Sequence, residues 1–213
     1  MKLAEMSERG KFITVEGMEG VGKTTNIGII ESFLEGAGIE FETTREPGAN
    51  TVAESIRTLL VDHGDERIDA MTELLLVFAA RAQHLAAFIL PTLAAGTWVV
   101  CDRFTDSTYA YQGGGRGIAP AVIADLERIT LDGVEPDLTF VLDLAPEEGL
   151  ARAEARGARD RFESEGIDFF HRVRQTYLER ARAHHRMKVI DASADIETVG
   201  RRISSILEEA MGA

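Results

Sequence analysis

The stretch from Gly17 to Thr24 (GMEGVGKT) has residue types and a spacing that suit phosphate binding. It matches the pattern G-x-x-x-x-G-K-[ST], in which the lysine contacts the β- and γ-phosphates and the threonine hydroxyl binds Mg²⁺. Glycines let such a loop bring backbone N–H groups close to phosphate oxygens. We therefore predict a nucleotide-phosphate site formed by Gly17, Met18, Glu19, Gly20, Val21, Gly22, Lys23, Thr24 and Thr25.

The flanking residues give this motif the structural context that it requires. Phe12 to Glu16 is a short apolar run rich in β-branched residues, which predicts a buried strand. Thr24 to Leu34 has apolar residues at helical spacing. A helix that begins at the loop adds unpaired N–H donors and a partial positive charge to the phosphate site.

Strands and helices alternate along the rest of the chain. Further strands are predicted at 39–44, 98–102, 138–143 and 188–191. Helices are predicted from near Thr51, over 70–95 with a bend or break at Pro91, and over 120–130, 146–156, 167–183 and 196–211, with a glycine-rich loop at 113–117. This order predicts one α/β domain over residues 1–213: a three-layer P-loop-type fold with a five-stranded parallel sheet flanked by helices.

Composition narrows the possible functions. With 45% hydrophobic and 28% charged residues, the 213-residue chain has the composition of a globular protein. A formal charge of −13 argues against a nucleic-acid partner held by bulk positive charge. Cys101 is the one cysteine, so no disulfide forms within the chain. We find no apolar run of membrane-span length and no signal peptide in Met1 to Gly10, which predicts a cytoplasmic protein without a membrane partner.

Polar residues follow several predicted strands, where ligands gather in parallel α/β folds. The phosphate loop, Glu46, Asp102 and Asp143 all stand at such ends. Arginines recur nearby, at Arg45, Arg57, Arg81, Arg103, Arg116, Arg156, Arg159 and Arg161. The Asn-Lys-x-Asp motif of common GTPases is absent from the sequence. Because a site that holds two phosphorylated ligands needs such a set of arginines, the pattern favours a nucleoside monophosphate kinase.

The chain resembles the bacterial thymidylate kinases over nearly its whole length. The matching stretches are the phosphate loop, Thr44–Gly48 (TREPG), Phe78–Gln83 (FAARAQ), Asp102–Phe104 (DRF), Tyr111–Gly117 (YQGGGRG) and Asp160–Glu163 (DRFE). The resemblance implies transfer of a phosphoryl group from ATP to dTMP with Mg²⁺, giving ADP and dTDP, by a homodimer. The long apolar helix faces around Leu74–Leu76 and Leu85–Leu90 fit such a dimer, and burial in the core of one chain is the alternative explanation for them.

The resemblance also implies roles around the phosphates. Arg57 and Arg103 bind the dTMP phosphate, Thr24 and Asp102 lie at the metal, and Glu19 acts through the metal or the sugar. The alternative is surface ion pairing for the two arginines, a structural pairing with an arginine for Asp102, and exposure to water for Glu19. The candidate catalytic residues are Lys23, Arg103, Asp102, Glu19, Arg156 and Arg161.

Base recognition is implied for a second set of residues. Phe78 is expected to stack on thymine and Arg81 to reach its O4 edge, while Tyr111 packs on the sugar and disfavours a 2′-hydroxyl. For Phe78 and Tyr111 the alternative is burial in the core. The implied acceptor site comprises Glu46, Pro47, Arg57, Phe78, Arg81, Arg103, Thr108, Tyr111 and Gln112.

The sequence departs from the family pattern at two places. Many relatives place an aromatic residue four positions before the arginine, where this chain has Val77. Ala49 stands where glycine is usual, next to the Glu46-Pro47 bond, which matches a cis turn in relatives. The charged stretch 156–165 resembles the family's mobile lid and is the candidate source of a catalytic arginine, because Glu19 stands where some relatives carry one in the phosphate loop. A solvated charged linker is the alternative.

Two other functions remain open at this point. A kinase for dUMP, dGMP or a deoxynucleoside would share the phosphate chemistry but differ at Phe78, Arg81 and Gln112. A nucleotide-binding regulator without catalysis would be expected to lose Lys23, Asp102, Arg103 and the arginines of 156–165, and all are present.

Overall fold

A computed structural model describes residues 9–62, 66–155 and 161–212. Its described strands form one five-stranded sheet in the order β2-β3-β1-β4-β5, and every neighbouring pair is parallel. The strands are β1 (Phe12–Glu16), β2 (Phe41–Arg45), β3 (Trp98–Asp102), β4 (Leu138–Asp143) and β5 (Met187–Asp191). The predicted parallel α/β sheet is confirmed, with strand ends shifted by two residues at most.

Helices connect the strands and cover the sheet. They are α1 (Lys23–Gly36), α2 (Thr51–Val61), α3 (Ala70–His84), α4 (Leu90–Ala94), α5 (Thr105–Thr108), α6 (Pro120–Leu131), α7 (Pro146–Glu154), α8 (Ile167–Ala183) and α9 (Ile196–Gly212). Two π-helical segments, π1 (Leu85–Ile89) and π2 (Tyr109–Gly115), continue α3 and α5.

The sheet is buried on both faces, as its apolar strands predict. Successive strand residues point to opposite faces, so neighbouring side chains of β1 enter different parts of the core. Ile13 belongs to the cluster that contains Ile30 of α1 and Ile203 of α9. Phe12 belongs to the cluster that contains Leu85 and Ile89 of π1. The carboxyl ends of the strands form the edge where the site lies.

The glycine-rich stretch 113–117 is mostly not the loop that we predicted. Its first three residues complete π2, which packs along α8. A Cβ on Gly114 would lie 2.1 Å from the Thr176 hydroxyl oxygen, and one on Gly115 would lie 2.4 Å from the Phe169 ring. The glycines therefore serve close packing between two helical segments.

Pro91 does not break the long helix at 70–94. The chain passes through π1 and enters α4. Pro91 lies in the first turn of α4, a position at which the missing N–H of proline costs little. Among the described residues, Ala70–Ala94 is also long and apolar enough, by length and composition, to span a membrane. This corrects our prediction that no run reaches that length. In this fold the stretch packs against α2, α6 and β3, as the core helices of many globular proteins do.

Candidate functional site

A cleft of about 260 Å³ lies at the carboxyl ends of β1, β2 and β3. The phosphate loop and the start of α1 line one side of it. The end of α2, the middle of α3, and π2 line the other side. Phe162 and Glu163 complete the wall. The cleft therefore joins a loop suited to phosphates with residues from parts of the chain that are far apart in sequence.

The phosphate loop has the conformation that its sequence predicts. Gly20 has a φ of 74°. A Cβ there would lie 1.8 Å from the carbonyl oxygen of Gly149 on α7, so a side chain would strain the backbone and collide with α7. Glu19, Gly20, Gly22, Lys23 and Thr24 line the cleft.

The other four predicted loop residues lie elsewhere. The side chains of Met18 and Val21 are buried in the core beneath the loop. Gly17 contributes a carbonyl oxygen that accepts from Arg103, and Thr25 is exposed outside the cleft. These four residues therefore support the loop without facing the cleft.

Lys23 lies within the curve of the loop. Its Nζ donates to the carbonyl oxygens of Met18 at 3.0 Å and Gly17 at 3.4 Å. Burial and the adjacent Arg103 charge lower the pKa of Lys23 to about 8. The ammonium group is thus held where an incoming phosphate oxygen could replace backbone partners.

Arg103 lies between the two sides of the cleft, directly after β3. Its φ of 71° is unusual for a residue with a side chain. Nη1 donates to the Gly17 carbonyl at 2.8 Å, and Nη2 donates to Glu19 Oε1 at 2.9 Å. The Tyr111 hydroxyl donates to the same carboxylate at 2.7 and 2.8 Å. Glu19 therefore fixes both Arg103 and Tyr111, which excludes the open, water-facing role for this residue.

A buried carboxylate lies beneath this group. Glu16, the last residue of β1, accepts from the Phe104 backbone N–H at 2.7 Å and from the hydroxyls of Ser107 at 2.5 Å and Tyr177 at 3.0 Å. Burial, followed by the nearby charge of Asp106, raises the pKa of Glu16 to about 7. Both hydroxyls also approach Arg103 Nη1, so Glu16 supports the position of that guanidinium.

Asp102 and Thr24 supply oxygens suited to a cation. Asp102 Oδ1 is buried and has no hydrogen-bond partner within the described part of the chain. Both residues line the cleft. Asp143, by contrast, accepts two bonds from Arg174 at 2.7 and 2.9 Å and lies outside the cleft lining. Within the described ranges no cluster of three or more His, Cys, Asp or Glu side chains could hold a metal.

Arg81 is nearly fully buried, at 2% exposure, yet it lines the acceptor side of the cleft. Its Nε donates to Glu46 Oε2 at 2.7 Å, Nη1 to the Thr108 hydroxyl at 2.9 Å and Nη2 to the Phe104 carbonyl at 3.0 Å. His84 Nδ1 donates to the other oxygen of Glu46 at 3.0 Å. Three of the five N–H donors of the guanidinium thus have protein partners, which orients the remaining two.

Phe78 is not in the cleft, which corrects its predicted stacking role. The ring is 2% exposed and packs with Leu74, Tyr109 and Ile123. It lies beneath Arg81, whose guanidinium carbon is 5.2 Å from the ring centroid. Val77, four residues before Arg81, faces the cleft instead. Both spacings allow a contact with Arg81, but they place the two side chains on different sides of the helix.

The turn after β2 brings Arg57 to the cleft. The Glu46-Pro47 peptide bond is cis, and the Pro47 carbonyl accepts from Arg57 Nη1 at 2.9 Å. Ala49 has a φ of 75°, a left-handed conformation that favours glycine. Ala49 therefore takes the backbone conformation of the glycine usual at this position, at a cost of strain.

Glu73 is a residue that our sequence analysis missed. It is fully buried and accepts from Gln112 Nε2 at 2.8 Å. Arg116 Nε lies 3.2 and 3.3 Å from its two oxygens, and Arg161 Nη2 lies 2.7 Å from Oε2. An acidic residue on the apolar helix α3, four positions before Val77 and eight before Arg81, was the available signal.

Arg161 is held by the protein and does not line the cleft. Besides its ion pair with Glu73, Nε donates to the Leu60 carbonyl at 2.7 Å, and the backbone N–H donates to the Val61 carbonyl at 3.2 Å. Arg156 and the rest of 156–160 lie outside the described residues, so the predicted lid is described only over 161–165.

The comparisons with known proteins agree with this geometry. The family model "Thymidylate kinase" matches residues 15–203. A thymidylate kinase of Pseudomonas putida (strain GB-1) is 55% identical over 93% of this chain and 95% of its own length. One of Chromohalobacter salexigens is 53% identical over 96% of this chain and 98% of its own length.

A solved structure extends the similarity to the fold. The crystal structure of thymidylate kinase from Ehrlichia chaffeensis has a TM-score of 0.76 and 34% identity, covering 94% of this chain and 99% of that one. In sequence and in fold, the chain therefore belongs to the thymidylate kinase family.

Proposed function

We propose that this protein transfers the γ-phosphoryl group of ATP to dTMP, giving ADP and dTDP. The observation that carries the proposal is the position of Arg103. Its guanidinium binds the Gly17 carbonyl and Glu19 of the phosphate loop while it lines the same cleft as Arg81 and Gln112. One cation thus lies where donor and acceptor phosphates would meet.

The chemistry asks for positioning and positive charge more than for a base. The attacking atom is a phosphate oxygen of dTMP, which is already an anion at neutral pH. The barrier lies in bringing two anions together and stabilising charge on the transferred group. We assign Lys23 to the ATP phosphates and Arg57 and Arg103 to the dTMP phosphate. Arg156 keeps the role of a candidate catalytic arginine on sequence grounds.

Mg²⁺ fits two residues, Asp102 at the end of β3 and Thr24 in the first turn of α1. Thr24 and Asp102 Oδ1, which has no hydrogen-bond partner among the described residues, would hold it together with ATP oxygens, since Mg²⁺ sites in such enzymes use one or two protein groups and substrate phosphates. When bound, the ion would neutralise charge on the phosphates. Asp102 and Thr24 would orient it from the protein side.

Recognition of the base is proposed for the deeper end of the cleft. Arg81, oriented by Glu46 and Thr108, offers donors to the O4 acceptor of thymine. Cytosine presents an amino group at that position, so its N–H donors would face the N–H donors of Arg81. Gln112 faces the same space, Pro47 and Val77 provide apolar wall, and Tyr111 limits room beside the sugar.

We also propose a cytoplasmic homodimer that needs no nucleic acid or membrane. Large apolar side chains are exposed on neighbouring helices, including Leu59 of α2 at 60%, Leu75 of α3 at 50% and Ile129 of α6 at 68%. Contact between α2 and α3 and between α3 and α6 brings these helices together. A second copy would remove this surface from water. Sedimentation of the pure protein would test the association.

The test of the function is ADP release from ATP and Mg²⁺ with dTMP, dUMP, dCMP, dGMP and AMP offered one at a time. We expect a clear preference for dTMP. Turnover of another monophosphate in preference would keep the phosphate roles and remove those of Arg81 and Gln112. ATP binding without turnover of any acceptor would contradict the proposed function.

A further inference from the structure

The buried carboxylate of Glu73 lies next to the proposed base-reading residues without lining the cleft itself. It stands in the first turn of α3, one turn before Val77 and two turns before Arg81. Its partners are Gln112 of π2, Arg116 directly after π2, and Arg161. No role in phosphate chemistry accounts for a carboxylate at this place.

The bond between Glu73 and Gln112 fixes the orientation of an amide. The Glu73 carboxylate lies between the guanidinium groups of Arg116 and Arg161, and a carboxylate accepts hydrogen bonds and donates none. The group 2.8 Å from Glu73 Oε1 must therefore be the Gln112 amide nitrogen. With one Nε2 N–H held by Glu73, the Gln112 amide oxygen is the acceptor that this side chain offers to a ligand.

This orientation matters for the choice of base. Thymine carries an N–H donor at N3 beside its O4 acceptor, whereas cytosine carries an acceptor at N3 beside an amino donor. A fixed amide oxygen matches the first pattern and opposes the second. Without a fixed partner, an amide can rotate and offer its nitrogen instead.

We infer that Glu73 is a positioning residue that sets base specificity by fixing the Gln112 amide with its oxygen toward the base. The inference rests on the proposed function, because it takes a pyrimidine monophosphate as the acceptor. Glu73 does not touch the substrate and acts through Gln112. Arg161 shares the carboxylate but bonds elsewhere to Leu60, so its loss leaves the Glu73–Gln112 bond in place.

The test measures the Kd values of dTMP and dCMP by calorimetry, without ATP, in the wild type and in Glu73→Gln. We expect the ratio of the dCMP to the dTMP Kd to fall on the order of tenfold in Glu73→Gln, since one fixed hydrogen bond to a charged group is lost. Glu73→Asp retracts the carboxylate but keeps its charge, so its ratio should lie between those of the wild type and Glu73→Gln.

Two matched variants separate specificity from loss of structure. Arg161→Gln should keep the ratio within about twofold of the wild type, because it leaves the bond between Glu73 and Gln112 in place. Glu127→Gln, which removes a carboxylate bonded to Tyr109 outside the cleft, should change neither Kd. The ratio in Glu73→Asp carries the test if Glu73→Gln does not fold.

The outcomes distinguish the inference from the proposed function. A high wild-type ratio that is unchanged in folded Glu73→Gln and Glu73→Asp would overturn the role of Glu73 and leave the proposed function standing. A wild-type ratio near one would overturn both, because the protein would then not read the base.

Discussion

The two sides of the cleft are built by different means. On the ATP side, backbone groups of one short loop create the site: glycines permit the turn, and Lys23 reaches back to carbonyl oxygens five and six residues earlier. On the acceptor side, buried carboxylates orient arginine side chains and the amide of a glutamine. Glu46 orients Arg81 from 35 residues away, and Glu73 orients Gln112 from 39 residues away.

This difference separates what a motif can specify from what only a fold can assemble. A loop whose geometry is local keeps its function wherever a strand and a helix flank it. A network of buried charges depends on each partner, because an unpaired charge left in the core is costly. We therefore expect changes on the two sides to affect different kinetic constants.

The largest effect is expected from Lys23→Ala on the ATP side. Loss of this charge at the transferring phosphates should lower kcat by about a hundred- to a thousandfold, the usual range for removal of one transition-state donor. Steady-state assays with saturating dTMP would measure it, and circular dichroism would check the fold. Lys188→Ala, at an exposed position on β5, is the matched control. Near-normal turnover by folded Lys23→Ala would contradict the assignment.

Arg103→Ala tests the residue that contacts both sides. We expect the KM for dTMP to rise about ten- to a hundredfold, because a charge-assisted contact is lost and Glu19 is left without its partner at 2.9 Å. Arg128→Ala, at an exposed position on α6, controls for removal of an arginine. An unchanged dTMP requirement in Arg103→Ala would remove this residue from the acceptor site.

The pH dependence of kcat/KM for ATP should follow the loss of the positive charge on Lys23. Because burial and Arg103 lower its pKa to about 8, the amine loses its charge as the pH rises through that value. We expect kcat/KM for ATP, which reports the free enzyme, to fall above pH 8 by about tenfold for each further pH unit. Lys23→Arg should lose this decline even if its activity is lower. A flat wild-type profile to pH 10 would show that the side chain is not held as described.

The smallest effects distinguish Phe78 from its neighbour. Phe78→Leu should lower the free energy of unfolding by about 1 kcal/mol, because the ring fills the core, with little change in the KM for dTMP. Val77→Ala should raise that KM by about fivefold, since it removes cleft wall. Thermal unfolding and steady-state kinetics on both variants would show it. A raised KM for dTMP in Phe78→Leu with an unchanged KM in Val77→Ala would show that Phe78 contacts the base after all.

The sequence predicted most of the fold because the strands are continuous apolar runs and the helices are strongly periodic. It also predicted the phosphate loop, whose geometry depends on local residues. It failed at 113–117, since contacts with α8 decide that glycines there form a π-helix. It failed at Phe78 because that role was transferred from relatives whose aromatic residue stands four positions before the arginine, and here Val77 at that position lines the cleft. Glu73 could not be assigned, because its partners Gln112, Arg116 and Arg161 lie far from it in sequence.

The central claim is that buried carboxylates, acting over a long sequence distance, build the acceptor side of the cleft and not the ATP side. The most direct test is to measure the KM for ATP and the KM for dTMP separately in Glu46→Gln. Glu46 holds Arg81 at 2.7 Å and does not contact the phosphate loop. We predict that the KM for dTMP rises about tenfold or more, as expected for loss of a buried hydrogen bond to a charge, while that for ATP stays within about twofold. An equal rise in both constants, or a rise for ATP alone, would contradict this account of the two sides.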